Sequence, residues 1–142
     1  MRRPADAPDL PALLALRDAA GSEVLSDPAL ISGEMLRRLI AADAVVAWDE
    51  AGMIAGFAAV DDDRVHLLVD AAQRSKGIGR HLLAWACEAV RAAGYATATL
   101  VLAPDSTAER HYRAAGWMEV GRSAAGGAIL NLPVLSHWRC RS

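Results

Sequence analysis

Seven residues, Asp70-Ala71-Ala72-Gln73-Arg74-Ser75-Lys76, separate a run of strand character ending at Val69 from a helix that opens on Gly77-Ile78-Gly79. No other segment limits the chain so much. Glycine at the mouth of a helix lets the backbone approach a ligand closely. The first-turn amides lack an intrahelical acceptor and point outward, and the helix dipole favours negative charge at that end. Arg74, Lys76 and Arg80 add cationic side chains to the same stretch. Residues 73–79 therefore describe a cradle for a diphosphate.

Three phosphate-binding designs compete for such a segment. A P-loop needs Gly, four residues, then Gly-Lys-Ser/Thr, and that spacing is absent. A dinucleotide fingerprint needs Gly-x-Gly-x-x-Gly directly after a strand. Here Leu82 holds the third glycine position and the strand ends too early. The third design is a longer loop sweeping from strand to helix, and it fits.

The flanking pattern sets the fold class. Residues 1–4 read as a short strand. Asp9-Leu10-Pro11 reads as a helix start, with a capping carboxylate and a proline in the first turn, and Gly21 as its end. Asp27-Pro28 opens a second helical region, broken at Gly33 and reaching Ala42, with Met35, Leu36, Leu39 and Ile40 as its apolar stripe. Residues 44–48 and 53–60 are short strands around an Asp49-Glu50-Ala51-Gly52 turn. Asp61-Asp62-Asp63 makes the next turn, before a third strand over Arg64–Val69. Leu82, Leu83, Ala86, Cys87 and Val90 mark the buried side of the glycine-led helix, which Gly94 ends. Thr97–Leu102 is rich in β-branched residues and reads as a strand. Ser106-Thr107-Ala108-Glu109 has capping-box form and starts a helix that Gly116 stops after Ala115. Strands near 117–122 and 128–134 flank a last glycine-rich turn. The order β-α-α-β-β-β-α-β-α-β-β is a mixed α/β arrangement, read as one domain over residues 1–142.

Composition narrows the partners. A net charge of −2 and a pI near 6.0 give no basic excess for nucleic acid. Cys87 and Cys140 stand far apart, outside any CxxC pattern, so neither a disulfide framework nor a zinc site is expected. No metal-ligand spacing appears among the histidines, cysteines and acids. Acidic residues Asp6 and Asp9 interrupt the N-terminus, and no apolar run is long enough for a bilayer. The expectation is a soluble, cytoplasmic protein without nucleic-acid or membrane partners.

Two blocks then carry a family resemblance. Arg74-Ser75-Lys76-Gly77-Ile78-Gly79 resembles the Gln/Arg-x-x-Gly-x-Gly/Ala signature of the GNAT acetyltransferase superfamily, and Leu67-Leu68-Val69-Asp70 is similar to the strand that enters its loop. Ala108-Glu109-Arg110-His111-Tyr112-Arg113-Ala114-Ala115-Gly116-Trp117 resembles the family's Ala-x-x-Phe-Tyr-x-x-x-Gly-Phe block. The chain departs from the pattern at Ala71, where proline is frequent, and at Ser75, where glycine is. It also departs at Asp105, in place of asparagine, and at His111, in place of phenylalanine. None of these changes removes a backbone amide.

The resemblance implies a GNAT acyltransferase fold, a mixed central sheet of about six to seven strands flanked by about four helices. It implies acetyl-CoA as acyl donor, with no metal, and direct attack by a primary amine of a small molecule, amino acid or peptide in a ternary complex. Backbone groups of Leu67, Leu68 and Val69 would hold the acetyl and pantetheine parts, exposed by a splay between that strand and Thr97–Leu102. Arg74, Ser75, Lys76, Gly77, Ile78, Gly79 and Arg80 would hold the pyrophosphate, with Asp105 and Ser106 also on the cofactor side. Tyr112 matches the tyrosine that protonates the leaving sulfur. The base stays open between Asp63, near a position where some members place glutamate, His66, whose imidazole titrates near neutrality, and water.

Other residues read more plainly. Cys87 lies on an apolar stripe and suits packing. His81 is a solvated helix residue, and His111 is either substrate-facing or half-buried. Trp48, Trp85 and Trp117 are core or interface aromatics. Residues 20–31, the His66 strand face and the last hairpin would line the acceptor pocket, with Glu23, Asp27 and Glu34 as acids in or near them. His137, Trp138 and Cys140 either fray or face a second copy in a homodimer. A non-catalytic acyl-CoA-binding or sensing module on the same fold is the alternative to an enzyme.

Overall fold

A computed structural model describes residues 1–24, 31–73, 76–103, 106–124 and 126–134. Its elements follow the expected order: β1 (Arg2–Pro4), α1 (Leu10–Val24), α2 (Gly33–Ala41), β2 (Val45–Glu50), β3 (Met53–Asp61), β4 (Arg64–Val69), α3 (Ile78–Ala92), β5 (Thr97–Leu102), α4 (Thr107–Ala114), β6 (Met118–Arg122) and β7 (Ala128–Pro133). Seven strands form one mixed sheet in the order β1-β2-β3-β4-β5-β7-β6.

Alternation along the strands, shifted once by the β2–β3 irregularity at Ala55, builds two cores, one on each sheet face. Ala58, Val60 and Val65 join Leu82, Leu83, Ala86, Cys87 and Val90 of α3 and Tyr112 of α4. Phe57, Ala59 and Leu68 turn the other way, onto Leu13 of α1 and Leu36 and Leu39 of α2. At roughly 25 cal/mol per Å² of apolar surface removed from water, these two clusters are the main stabilising term. All five residues expected on the buried side of α3 are in its core.

Local signals differ from expectation in three places. Helix α1 runs through Gly21 to Val24. A helical glycine costs about 1 kcal/mol relative to alanine, which burial of the Leu13 face outweighs. Asp9 does not cap α1 but closes a tight turn at Ala7–Asp9, accepting the Asp6 amide at 2.8 Å and the Arg3 guanidinium at 2.8 and 2.9 Å. Helix α2 begins at Gly33 rather than breaking there, because the Ser32 hydroxyl accepts the Met35 amide at 3.0 Å. Asp27-Pro28, Glu23's side chain and the tail His137, Trp138 and Cys140 lie outside the described residues.

No helix among the described residues is long and apolar enough to cross a membrane. No group of three or more His, Cys, Asp or Glu among them could hold a metal ion.

Candidate active site

The sheet is two half-sheets joined by one bridge. Strand β3 pairs with β4 over six positions, and β5 pairs with β7 over six. Between β4 and β5 the register holds a single parallel pair, Arg64 with Thr99. The strands then part, so a gap opens toward Val69 and Leu102.

Backbone parity decides which groups face that gap. The Asp63 carbonyl accepts the Thr99 amide at 2.8 Å, so residue 63 turns toward β5. The Asp70 amide donates to the Ala55 carbonyl at 2.8 Å, so residue 70 turns toward β3. Alternation along β4 therefore turns the main-chain groups of Val65 to β5 at the bridge and points those of Leu67 and Val69 into the gap. The main-chain groups of Leu68 turn to β3, where it stands opposite Phe57. Of the three strand residues expected to offer backbone to a ligand, Leu67 and Val69 turn theirs to the gap and Leu68 turns its to β3.

Helix α3 starts at the mouth of this gap. Gly77 caps it with φ of +81°, a left-handed conformation that favours glycine. The first intrahelical bond runs from the His81 amide to the Gly77 carbonyl at 3.2 Å. The amides of Ile78, Gly79 and Arg80 precede it and, among the described residues, meet no acceptor. Lys76 and Arg80 are exposed beside them, and the Lys76 ammonium donates to Gln73 Oε1 at 2.9 Å. Arg74, Ser75 and Asp105 lie outside the described residues. Ser106 caps α4, its hydroxyl accepting the Glu109 amide at 3.0 Å.

Tyr112 and His66 flank the gap from opposite faces. Tyr112 is buried on α4, edge-on to Trp117 and His111, in the cluster that holds Val65, Leu100 and Leu102. Arg113 ties the helix down, reaching Glu109 at 3.5 Å and Glu119 of β6 at 3.4 Å. His66 stands two residues past the bridge and pairs with Ala59, whose side chain joins the α1–α2 core. It is 9% exposed. Burial, helped by the Arg64 charge and opposed by Asp61, lowers its pKa from 6.5 to about 4. The imidazole is neutral at pH 7 and able to accept a proton.

Asp63 sits elsewhere. It lies at the closed end, and its carboxylate takes the Thr99 hydroxyl at 3.4 Å. Helices α1 and α4, on opposite faces, approach within 8 Å between Cα atoms. Layers on the two sides of an unbroken sheet would stand roughly 20 Å apart, so these helices meet through the opening.

Gly56 was missed in the sequence. A Cβ there would lie 2.9 Å from the Leu68 carbonyl oxygen and 3.3 Å from Leu82 Cδ1, so its hydrogen lets β3, β4 and α3 close up behind the gap. An isolated glycine inside an apolar strand run is the signal that marks such an approach. Of the remaining residues, Cys87 is fully buried and His111 exposed, and exposed His81 stacks on Trp48 at 5.4 Å.

Residues 18–133 match the family described as Acetyltransferase (GNAT) domain. The chain belongs to the GNAT acetyltransferase family. No curated protein sequence matches it. Three solved structures share the GNAT architecture. The yncA protein of Salmonella typhimurium, seen with its cofactor acetyl-CoA, has 17% identity over 100% of this chain and 98% of its own, with a TM-score of 0.75. An N-acetyltransferase from Staphylococcus aureus Mu50 has 20% identity over 95% and 98%, also at 0.75. A ribosomal-protein-alanine N-acetyltransferase from Brucella melitensis has 22% identity over 92% and 96%, at 0.70. At such identities the likeness establishes the GNAT fold, a seven-stranded mixed sheet with four helices.

Proposed function

We propose that the chain, as a single catalytic unit, moves an acetyl group from acetyl-CoA to a primary amine by direct attack in a ternary complex. One observation carries this reading: a strand gap lined by outward main-chain groups has a helix N-terminus at its mouth, Tyr112 on one face and His66 on the other. The α3 amides of Ile78, Gly79 and Arg80, with Lys76 and Arg80, would take the pyrophosphate. The gap-facing groups of Leu67 and Val69 would take the pantetheine arm. Acetyl-CoA supplies an activated thioester. Arg74, Ser75, Asp105 and Ser106 complete the proposed cofactor side.

Attack forms the C–N bond and breaks the C–S bond, so one proton must leave nitrogen and one must reach sulfur. Tyr112 is a neutral phenol at pH 7 and would donate to the departing thiolate. His66 would receive the nitrogen's proton, through water. An imidazole titrating at about 4 is too weak to deprotonate a free alkylammonium. The amine therefore enters neutral, and His66 acts as attack makes its nitrogen acidic. Asp63, engaged with Thr99 away from the open end, is the weaker candidate.

Acceptors of the proposed class are small molecules, amino acids or peptide amines, reached from the α1–α2 face. The N-acetyltransferases among the similar structures support that class. The proposed setting is the cytoplasm.

Thermal unfolding with and without acetyl-CoA tests the donor. A ligand at 100 times its Kd adds about 2.7 kcal/mol of stability, a rise of several degrees. No shift at millimolar acetyl-CoA overturns the proposal. Thiol release across panels of amines, amino acids and peptides then separates an enzyme from a sensing module, which would bind without turnover.

A further inference from the structure

The β3–β4 turn sends three consecutive carboxylates to three different elements. Asp61 pairs with Arg38 of α2 at 3.0 Å. Asp62, at φ of +56°, faces Tyr95 just ahead of β5. Asp63 holds Thr99 of β5 twice, by carbonyl to amide at 2.8 Å and by carboxylate to hydroxyl at 3.4 Å. The left-handed turn at Asp62 lets neighbouring side chains diverge, and aspartate tolerates it better than most residues. The single Thr99 hydroxyl proton is shared between Asp63 Oδ2 at 3.4 Å and Asn131 Oδ1 of β7 at 3.0 Å.

These contacts surround the one register pair that joins the half-sheets. We infer that the Asp61-Asp62-Asp63 turn is a clasp fixing the angle between them, with Asp63 and Thr99 as positioning residues that set the width of the gap. The consequence for catalysis rests on the acyl-donor reading above. Strand lengths show why the angle matters. Val69 lies five steps along the strand from Arg64, about 16 Å at 3.3 Å per residue. A rotation of about 10° at the bridge would shift the far end by roughly 3 Å. Misplacement of about 1 Å can cost roughly a hundredfold in rate. A single parallel pair is a poor brake on such rotation, and the side-chain links supply the missing stiffness.

Thr99→Val keeps shape and the backbone bridge but loses the hydroxyl. Asp63→Asn keeps shape and loses the charge. Each is expected to speed amide hydrogen exchange at residue 99 in the free protein. Each should also raise KM for acetyl-CoA about three- to tenfold, the worth of one such hydrogen bond, with kcat falling by no more than a similar factor and the pH profile keeping its shape. Thr99→Ser should restore both readouts. The double variant should be no worse than the poorer single, because Thr99→Val removes and Asp63→Asn weakens one and the same contact.

Unchanged exchange in both single variants overturns the clasp. Faster exchange with unchanged KM overturns its role in setting the gap. A collapse of kcat confined to Asp63→Asn returns that carboxylate to proton chemistry and also overturns the inference. A wild-type protein that neither binds nor consumes acetyl-CoA sinks the donor reading instead, and exchange at residue 99 then decides the clasp by itself.

Discussion

A Cβ added at Gly79 would lie 3.7 Å from Val69 Cγ2, an ordinary van der Waals contact. At Gly77 an added Cβ meets nothing within 4 Å, yet the backbone there has φ of +81°. The two glycines of one motif thus differ. Gly77 is needed for its conformation, whereas at Gly79 the fold leaves room for a side chain.

Gly77→Ala should therefore destabilise the fold by about 1–2 kcal/mol, the cost of a left-handed non-glycine residue. Gly79→Ala should leave stability unchanged or slightly raised, since it sits in a helix. Urea unfolding of the two variants checks the contrast. Equal losses would show that Gly79 is structurally constrained as well.

Gly56→Ala meets backbone rather than a flexible tip. Its methyl would press on the Leu68 carbonyl at 2.9 Å and the Val69 Cα at 3.3 Å. Overpacking of this kind costs about 1–3 kcal/mol. Relief requires β3 and β4 to separate at the end that borders the gap, so acetyl-CoA affinity should fall together with stability. Titration calorimetry beside denaturant unfolding measures both.

His66 makes stability depend on pH. Its pKa falls from 6.5 to about 4 on folding, chiefly through burial, with Arg64 adding to the effect and Asp61 opposing it. The unfolded chain therefore binds the proton more readily. The stabilising contribution is fully present above pH 6.5, shrinks as pH falls toward the folded value, and is gone below about 4. The whole window is worth about 3 kcal/mol. Unfolding free energies at pH 7, 5.5 and 4 should show this loss in the wild type and a flatter profile in His66→Gln.

Trp117 is 2% exposed and its indole Nε1 has no hydrogen-bond partner among the described residues. A buried donor without an acceptor costs about 1–3 kcal/mol. Trp117→Phe removes that penalty while losing ring volume, so its net effect should stay within about 1 kcal/mol. Trp117→Ala should cost about 3–5 kcal/mol. A large loss in the phenylalanine variant would mean that the indole N–H is engaged after all.

Much of the architecture was legible in the residues themselves. Element order, the buried stripe of α3, the serine cap of α4 and the glycine that opens α3 all depend on neighbours a few positions away. Period, caps and turn chemistry are local, and local physics is written in local sequence. Gly21 and Gly33 show the limit of that legibility. Each looked like an interruption; Gly21 is helical because packing of distant leucines outweighs a small propensity cost, and Gly33 because the Ser32 cap starts α2 there.

The candidate site divides in the same way. The motif residues around Gly77 and Tyr112 could be named from spacing and resemblance. Which strand groups face the gap could not, because parity follows from pairing with β3 and from the lone bridge to β5. Nor could the burial that lowers the proton affinity of His66, or the engagement of Asp63 with Thr99, 36 residues away in sequence. Those properties belong to the assembled sheet: they arise where segments far apart in the chain meet, and only tertiary packing decides which ones do.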